Sequence, residues 1–476
     1  MPRRLQRNAL LKALLEEADW SAADLARAVN RLGHAEGLHL RYDRTTVAHW
    51  LSGSRPKAPV PDLVAESLTR RTRRLVRAAD TGLLPDPGPQ EMVLLSGAVP
   101  SQEGAARRLV ALGRIDADPA RRPRLLDLIY RQFLVDPNRE ARCPARTEGS
   151  IGEAAVAGSG KKSPIAAADV VLLRGMVSSF ASYTAQFGGG HARAALAAYL
   201  ADDVGRFLTA PRSPVLRTEL MTEIAHLAHL LGDMTADAGH HGLAQRYHLL
   251  AFEIATEVGD LRARAMALRA MSTQAAQLGV PRYAADLAEA AVDVVGTSPD
   301  GDLRAFLLAQ RAYARALTDD TSGALKDLAA AERNLDWASG EPGPFSSYPK
   351  AGFAYQQGQT LYTLGDAEGA VSAFSYAASR RAPHERRPRA LTQARLANVL
   401  LDLGSVEEAC VHASAFAGDY PLLRSHWATQ AIKTLRAHLA VFPQVRRAAA
   451  VREELRELEA GARHCRAVGY VGGAGR

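Results

Sequence analysis

The stretch "YDRTTVAHWLSGSRPKAPVP", residues 42–61, holds two threonines, a histidine and a tryptophan before a glycine and a basic, proline-rich end. Asp43 can cap a short helix over the letters "RTTVAHWL". Val47, Trp50 and Leu51 recur at spacings of three and four residues, so we expect them to face a core. The opposite face of this helix is then polar and exposed.

Two amphipathic helices are predicted before this stretch. "LQRNALLKALLEEADW" places leucines and alanines on one helical stripe, and "SAADLARAVNRL" begins with Ser21 as a helix cap. The segment "GHAEGLHLRYD" alternates Leu38, Leu40 and Tyr42, which predicts extended chain. After the quoted stretch, "DLVAESLTRRTRRLVRA" predicts a fourth helix with a basic second half. The first 80 residues should therefore form a small helical unit.

The basic charge of the chain is concentrated in this unit. Residues 1–80 carry 15 Lys and Arg against 9 Asp and Glu, whereas the rest of the chain carries 44 against 42. A compact basic module on a nearly neutral body is typical of polyanion binding, because neutralising phosphates supplies most of the non-specific affinity for nucleic acid. A basic face that is merely solvated is the alternative interpretation.

"DLARAVN", a longer turn and "TTVAHWLSGSRP" resemble the helix-turn-helix of lambda-repressor and XRE-type regulators, over residues 5 to about 75. In that family the outward residues at the start of the recognition helix enter the major groove of double-stranded DNA. The alternative is a small helical domain with exposed polar residues. The resemblance implies base contacts by Arg44, Thr45, Thr46, Ala48 and His49. It implies phosphate contacts by Ser21, Arg55 and Lys57.

The C-terminal part of the chain repeats with a period of about 40 residues. Five turn positions each precede an alanine by five residues. The turn positions are Gly239, Gly279, Asp319, Gly365 and Gly404, and the alanines are Ala244, Ala284, Ala324, Ala370 and Ala409. Small residues at fixed offsets let paired antiparallel helices approach closely. The offsets resemble those of tetratricopeptide repeats.

These patterns predict an all-α fold, with an N-terminal lambda-repressor-like helix-turn-helix domain at 1–80 and a C-terminal α-solenoid of tetratricopeptide-like repeats at 166–470. A helical connector and flexible linker is predicted at 81–165. In the connector, "EGAARRLVALGRI" and "RRPRLLDLIYRQFLV" predict two helices. "GSGKKS" resembles a phosphate-binding loop only superficially, because Ala155 stands where GxxxxGK requires its first glycine. "RRAAAVREELRELEAGARHCRAV" predicts a closing helix.

The whole arrangement, including "FGGGHARAALAAYL" (187–200) and "AGHHGLAQRYHLLAFEIA" (238–255), resembles actinobacterial XRE-family regulators with C-terminal tetratricopeptide-like repeats. The resemblance implies a sequence-specific transcription regulator. It also implies a homodimer whose repeat domain senses a peptide, small-molecule or protein effector. A protein-interaction scaffold, in which the basic N-terminal module does not recognise specific DNA, is the alternative function.

Tetratricopeptide geometry, projected onto this register, places aromatic and hydrogen-bonding side chains on the concave face of the first helix of each pair. Such a groove could hold an extended peptide, or these could be ordinary groove residues or a dimer contact. A metal site among the first three members is not expected, because no fourth ligand lies within sequence reach. The set is His226, His229, Asp233, Arg269, Thr273, Phe306, Tyr313, Tyr355, Gln359, Tyr362 and Asn398.

Several classes of protein are disfavoured by the composition. No apolar run reaches the roughly 20 residues that a membrane span needs. The first 20 residues lack the pattern of a signal peptide, and the three cysteines are far apart without CxxC spacing. Neither a cofactor or metal motif nor a catalytic motif such as GxSxG or HExxH appears. We therefore expect a cytoplasmic protein that is not an enzyme, holds no cofactor and associates with the nucleoid when bound to DNA.

Overall fold

The structure is a computed structural model, and its described part is all-α, as predicted. It describes residues 8–57, 59–74, 76, 78–83, 104–132, 167–208, 213–336, 344–345 and 348–471. Within these ranges the chain forms helices and connecting turns, with no β-strand. None of the described helices is long and apolar enough to cross a lipid bilayer. Residues 84–103 and 133–165 of the predicted connector and linker, including "GSGKKS", lie outside the described residues.

Four helices form the N-terminal unit. They are α1 (Ala9–Glu17), α2 (Ala22–Ala35), α3 (Arg44–Leu51) and α4 (Val60–Thr72). Their apolar faces meet in one core, which includes the predicted Val47 and Trp50. The predicted caps are also present, because Ser21 accepts the amide of Asp24 and Asp43 accepts the amide of Thr46.

Two boundaries in this unit differ from the sequence-based prediction. Helix α2 continues through residues 33–35, which were predicted to be extended, because Gly33 is buried in the helix and Leu40 packs against it. Helix α4 ends at Thr72, although its pattern predicted several more residues. Arg73 there adopts a left-handed conformation with φ of 52°, and the Thr69 hydroxyl accepts the amide of Val76 at 2.9 Å. These contacts turn the chain back onto α4.

The connector contains α5 (Ala105–Ala117) and the short α6 (Arg122–Leu126), followed by residues 127–132 in a non-helical path. We call residues 127–132 the strap. A longer helix was predicted here, over residues 121–135, and this prediction is wrong. The Gln245 side chain accepts the Arg131 amide at 2.9 Å and donates to the Arg131 carbonyl, which replaces the hydrogen bonds of a helix. Gly242 makes this path accessible, since a Cβ there would lie 2.0 Å from the Leu128 carbonyl oxygen.

The strap joins the N-terminal unit to the helices that follow. Ile129 is buried in the core of the N-terminal unit, whereas the adjacent Tyr130 is buried in the large core of the helices beyond residue 104. The Gln132 amide donates to the Glu66 carboxylate of α4 at 3.2 Å, and Arg131 pairs with Asp62 of the same helix. Neighbouring side chains of one short segment therefore anchor two cores.

Beyond the linker, α7 (Ala167–Phe187) and α8 (Arg193–Tyr199) precede five helical hairpins and two closing helices in the described residues. A π-helical turn at Leu200–Val204 and one α-helical turn at Gly205–Phe207 extend α8. The hairpins are α9 (Pro214–Asp237) with α10 (His241–Val258), α11 (Leu261–Gln277) with α12 (Pro281–Val295), α13 (Gly301–Ala316) with α14 (Thr321–Asp336), α15 (Lys350–Thr363) with α16 (Ala367–Arg380), and α17 (Arg386–Asp402) with α18 (Val406–Asp419). The closing helices are α19 (His426–Leu439) and α20 (Arg446–Val471).

Each turn position of the predicted repeat lies between the two helices of a hairpin. All five residues have positive φ, including Asp319 at 64° where the other repeats have glycine. The alanine five residues later is fully buried in every hairpin. A left-handed turn residue followed by a small buried residue brings the second helix close to the first. The periodicity thus corresponds to five hairpins of one kind.

The stack of hairpins closes on itself through Asp237, at the end of α9. Its carboxylate accepts two hydrogen bonds from Arg387 of α17, at 2.9 and 2.7 Å. It also accepts the Ser425 hydroxyl and the Gly189 amide, each at 2.7 Å. Only 2% of Asp237 is exposed. One buried carboxylate therefore joins the first hairpin, the last hairpin, the start of α19 and the segment after α7.

Loss of the Asp237 charge should weaken this closure severely. In Asp237→Asn the partly buried Arg387 guanidinium loses its bidentate anion, so we expect the free energy of unfolding to fall by about 3 kcal/mol. The matched control is Asp419→Asn, which removes a similar bidentate partner from Arg389 at a more exposed position. The free energy of unfolding of each variant is measured by urea denaturation monitored by circular dichroism. Equal decreases in the two variants would contradict the importance of Asp237 for the closure.

The free energy of unfolding should depend on pH because of Glu66, the carboxyl group that the strap contacts through the Gln132 amide. Burial raises the pKa of this carboxyl to about 7, against the opposing effect of Arg70. A raised carboxyl pKa gives stability that is present below its unfolded value of 4.5 and is lost as the pH rises through about 7. Glu66→Gln should therefore melt at higher temperature than the wild type at pH 8, and the difference should shrink by pH 5. Glu16→Gln, on the surface of α1, is the control and should show no such trend.

Candidate functional site

Helix α3 presents one face to solvent and the other to the core. Val47 is fully buried and Trp50 is 3% exposed, so the register of the helix is fixed. Arg44, Thr45 and His49 are exposed on the other face, as is Ala48. The structure thus brings together four of the five residues predicted for base contacts on one accessible surface.

Thr46, the fifth predicted residue, is hydrogen-bonded within the chain. Its amide and its hydroxyl both donate to the Asp43 carboxylate, each at 2.8 Å. The hydrogen bond from the Thr46 amide is the main cause of the lowered pKa of Asp43. Thr46 is only partly exposed. This pair therefore fixes the start of α3 and leaves the hydroxyl less available to a ligand.

The three residues predicted for phosphate contacts differ in their surroundings. Arg55 and Lys57 are exposed just beyond α3. Ser21, by contrast, donates its amide to the Asp24 carboxylate at 2.9 Å, and its hydroxyl is also bonded to that carboxylate. Asp24 places a negative charge at the start of α2, which weakens this helix end as an anion site. The capping pattern Ser-x-x-Asp in the sequence could have indicated this.

The turn between α2 and α3 adds two residues to this surface. The Asn30 side chain brackets the Tyr42 backbone, donating to its carbonyl at 2.8 Å and accepting its amide at 2.9 Å. The Tyr42 ring packs edge-on against Trp50 at 5.2 Å between ring centroids. His39 and Arg41 alternate with the inward side chains and are exposed. They were missed, although the predicted alternation of Leu38, Leu40 and Tyr42 implied that the residues between them point outward.

The predicted groove set divides into two groups. His229, Asp233, Arg269, Thr273 and Phe306 line one cavity of about 380 Å³. This cavity is bounded by α7, α9, α10, α11, α13, α17 and α19, so helices from both ends of the closed stack contribute to it. Sequence reasoning missed four of its other lining residues, which come from distant segments and carry no local signal. They are His248, Phe345, Arg387 and Trp427.

Electrostatics in the cavity centre on Asp233. Its carboxylate lies 3.3 Å from His229 Nε2 and 3.6 Å from His248 Nε2. Although burial alone would raise the pKa of Asp233, the neighbouring His229, His248 and Arg269 lower it to about 2. Burial lowers the pKa of His248 to about 4. The carboxylate is therefore ionised and His248 is neutral at pH 7.

His226 lies beside this cavity and is covered by the chain itself. Its ring stacks on the Phe345 ring with 4.4 Å between centroids, and its Nδ1 lies 3.3 Å from the Glu223 carboxylate. Phe345 also contacts His229 edge-on at 5.1 Å. Phe345 thus occupies part of the surface that was predicted to be open.

The second group of predicted groove residues lies farther along the stack, where several of them bond to neighbouring helices. Tyr362 donates to the Asp402 carboxylate, and His438 Nδ1 lies 3.0 Å from the Asn398 side-chain oxygen. His438 Nε2 lies 3.1 Å from the same Asp402. Tyr313, Tyr355 and Gln359 are partly exposed. These contacts join α15, α17 and α19 rather than line the cavity.

Metal ligation finds no support in the described residues. Within the ranges given above, no group of three or more His, Cys, Asp or Glu side chains has a geometry that could hold a metal ion. His229, His248 and Asp233 are close together, but the carboxylate is engaged by the two rings. Contacts with Asp233 engage one nitrogen of each ring, while His229 Nδ1 and His248 Nδ1 are buried without a hydrogen-bond partner.

The N-terminal unit is similar to a family of known domains. A family model described as the SP15 N-terminal domain matches residues 11–84, a range that contains α2, α3 and α4. No curated protein and no solved structure matches the chain. The chain is thus similar to SP15 N-terminal domains over the unit that presents the exposed face of α3.

Proposed function

We propose that this protein is a sequence-specific transcription regulator that binds double-stranded DNA through a helix-turn-helix formed by α2 and α3. The exposed face of α3 is the observation that carries the proposal. Arg44, Thr45 and His49 project from a short helix whose opposite side is anchored by Val47 and Trp50. A helix of this size with polar outward residues fits the major groove.

The side chains on this face suit base recognition. Arg44 can donate two hydrogen bonds to guanine, and Thr45 can offer a hydroxyl to a base edge or a methyl group to thymine. Ala48 can contact the thymine methyl group, and His49 can donate to base or phosphate acceptors. Arg41, Arg55 and Lys57 flank the helix and suit phosphates, which position a protein without specifying sequence. This division between two kinds of contact makes the proposal testable.

The repeat region is proposed to follow tetratricopeptide geometry and to serve dimerisation and effector sensing. A single short recognition helix contacts too few base pairs to define a unique site in a genome. A dimer that binds two half-sites about one helical turn apart would contact enough base pairs. Val171 and Leu172 on α7 are 63% and 64% exposed, which offers an apolar contact for a second copy. We place the protein in the cytoplasm, at the nucleoid when it is bound to DNA.

Base contacts and phosphate contacts should respond differently to substitution. Thr45→Ala or His49→Ala should weaken binding to the specific site by about 1 to 3 kcal/mol and leave random DNA nearly unaffected. Lys57→Ala should weaken both kinds of DNA similarly and reduce the slope of log K against log salt by about one. The measurement is a fluorescence anisotropy titration with a site selected from a random DNA pool.

The wild type must first prefer the selected site to random DNA. If all three variants lose affinity equally for both DNAs, α3 does not read bases. If the wild type shows no preference at all, the basic unit is not a specific DNA-binding module and the scaffold function is favoured instead.

Dimerisation should be visible in the absence of DNA. Sedimentation velocity of the full chain at micromolar concentration should give a dimer. Val171→Glu combined with Leu172→Glu should shift it toward monomer, because two charges cannot be buried unpaired in an apolar contact. Val411→Glu, an exposed position on α18, is the matched control and should leave the dimer intact. A wild-type monomer would contradict the proposed dimer.

A further inference from the structure

The cavity inside the closed stack has the size of a small-molecule site. Its volume of about 380 Å³ falls in the range of roughly 300 to 1,000 Å³ that is usual for ligand pockets. Asp233 remains 47% exposed at its side chain, so the interior is accessible to solvent. The helices around it are fixed by the Asp237 contacts, which gives the cavity a defined shape before any ligand binds.

Two opposite charges in this cavity are not paired with each other. The Arg269 guanidinium lies over the Phe306 ring, 3.3 Å from its centroid, and its Nε donates to the Phe306 carbonyl at 3.3 Å. The charge of Asp233 acts on Arg269 from nearby, without a direct ion pair between the two side chains. Asp233 is ionised and also lies close to the rings of His229 and His248. A positive and a negative group therefore line one space without being directly bonded to each other.

Arg387 and Asp237, the other two charged residues of the cavity, form an ion pair with each other. Arg387 gives two hydrogen bonds to Asp237, and Asp237 takes two more from Ser425 and Gly189. These residues therefore form part of the wall. Recognition of a charged ligand therefore depends on Asp233 and Arg269, because each can attract a ligand group of opposite charge and neither is held by a direct ion pair with the other.

Much of the wall around these charges is apolar, beside the polar side chains of Thr184, Thr273, Gln274 and Gln277. Phe306, Phe345 and Trp427 contribute aromatic surface, and Met266 and Leu230 contribute aliphatic surface. A ligand that fills the space should therefore carry an apolar or aromatic group besides its charges. A doubly charged polar molecule would leave this surface uncovered, and a hydrocarbon would leave both charges unpaired.

We propose that the cavity binds a small zwitterion with an apolar side chain, of the class of free α-amino acids, with its ammonium group at Asp233 and its carboxylate at Arg269. This inference rests on the proposed function only in one respect, namely that the ligand is expected to act as the effector of DNA binding. Binding itself requires no DNA.

The test compares probes that share one apolar group and differ in charge. L-phenylalanine, 3-phenylpropionate and 2-phenylethylamine are titrated into the full-length protein without DNA by isothermal calorimetry, with L-leucine and L-methionine as further zwitterions. At least one zwitterion should bind with a dissociation constant ten or more times lower than that of either singly charged probe. Failure of every zwitterion to bind, or equal binding of the propionate, would overturn the inference.

Two variants assign the charges. Asp233→Asn should remove the advantage of the zwitterion over the propionate, and Arg269→Gln should remove its advantage over the amine. Asp402→Asn, in the second group of groove residues, is the control and should bind like the wild type. If a cavity variant fails to fold by circular dichroism, the comparison of probes on the wild type still decides the question.

The closing measurement separates this inference from the proposed function. Affinity for the selected DNA site is determined with and without the bound zwitterion, and Thr45→Ala is titrated with the same zwitterion. Intact site preference without any zwitterion binding would overturn only the inference. Zwitterion binding by a protein without site preference would support the cavity assignment and overturn the proposed function.

Discussion

The buried carboxylate of Asp237 is the constraint on which the repeat region depends. A charge removed from water is tolerated only when hydrogen bonds and an opposite charge replace its hydration. Asp237 receives these from Arg387, Ser425 and Gly189, three positions that are far apart along the chain. Meeting this requirement holds α9, α17 and α19 together. The cavity exists because those helices surround a space instead of continuing as an open stack.

Features with local causes could be predicted from the sequence. The turn residue and the alanine five residues later recur because one hairpin needs a left-handed turn and a close helix contact, and both follow from neighbouring residues. The exposed face of α3 follows in the same way from the spacing of Val47 and Trp50. By contrast, Arg387 lies 150 residues from Asp237, and no periodicity relates them.

The strap shows why the rest could not be predicted. Its sequence favours a helix, yet Gln245 takes its backbone hydrogen bonds and Gly242 leaves room for it. Tertiary contacts thus override local preference. The same limit applies to the candidate site, where Phe345 reaches His226 from a segment that gave no signal of its own. Thr46 was predicted to contact a base, whereas the acceptance of its hydroxyl by Asp43 could be seen only in the folded geometry.

The closed stack also bears on how this chain can evolve. Open repeat proteins lengthen by duplication of a unit, because each unit contacts only its neighbours. Here an inserted hairpin would move Arg387 away from Asp237 and leave the buried carboxylate without its cation. A change in the number of hairpins is therefore costly in a way that a substitution away from this contact is not. The number of hairpins in this region is therefore constrained by the contact between Asp237 and Arg387.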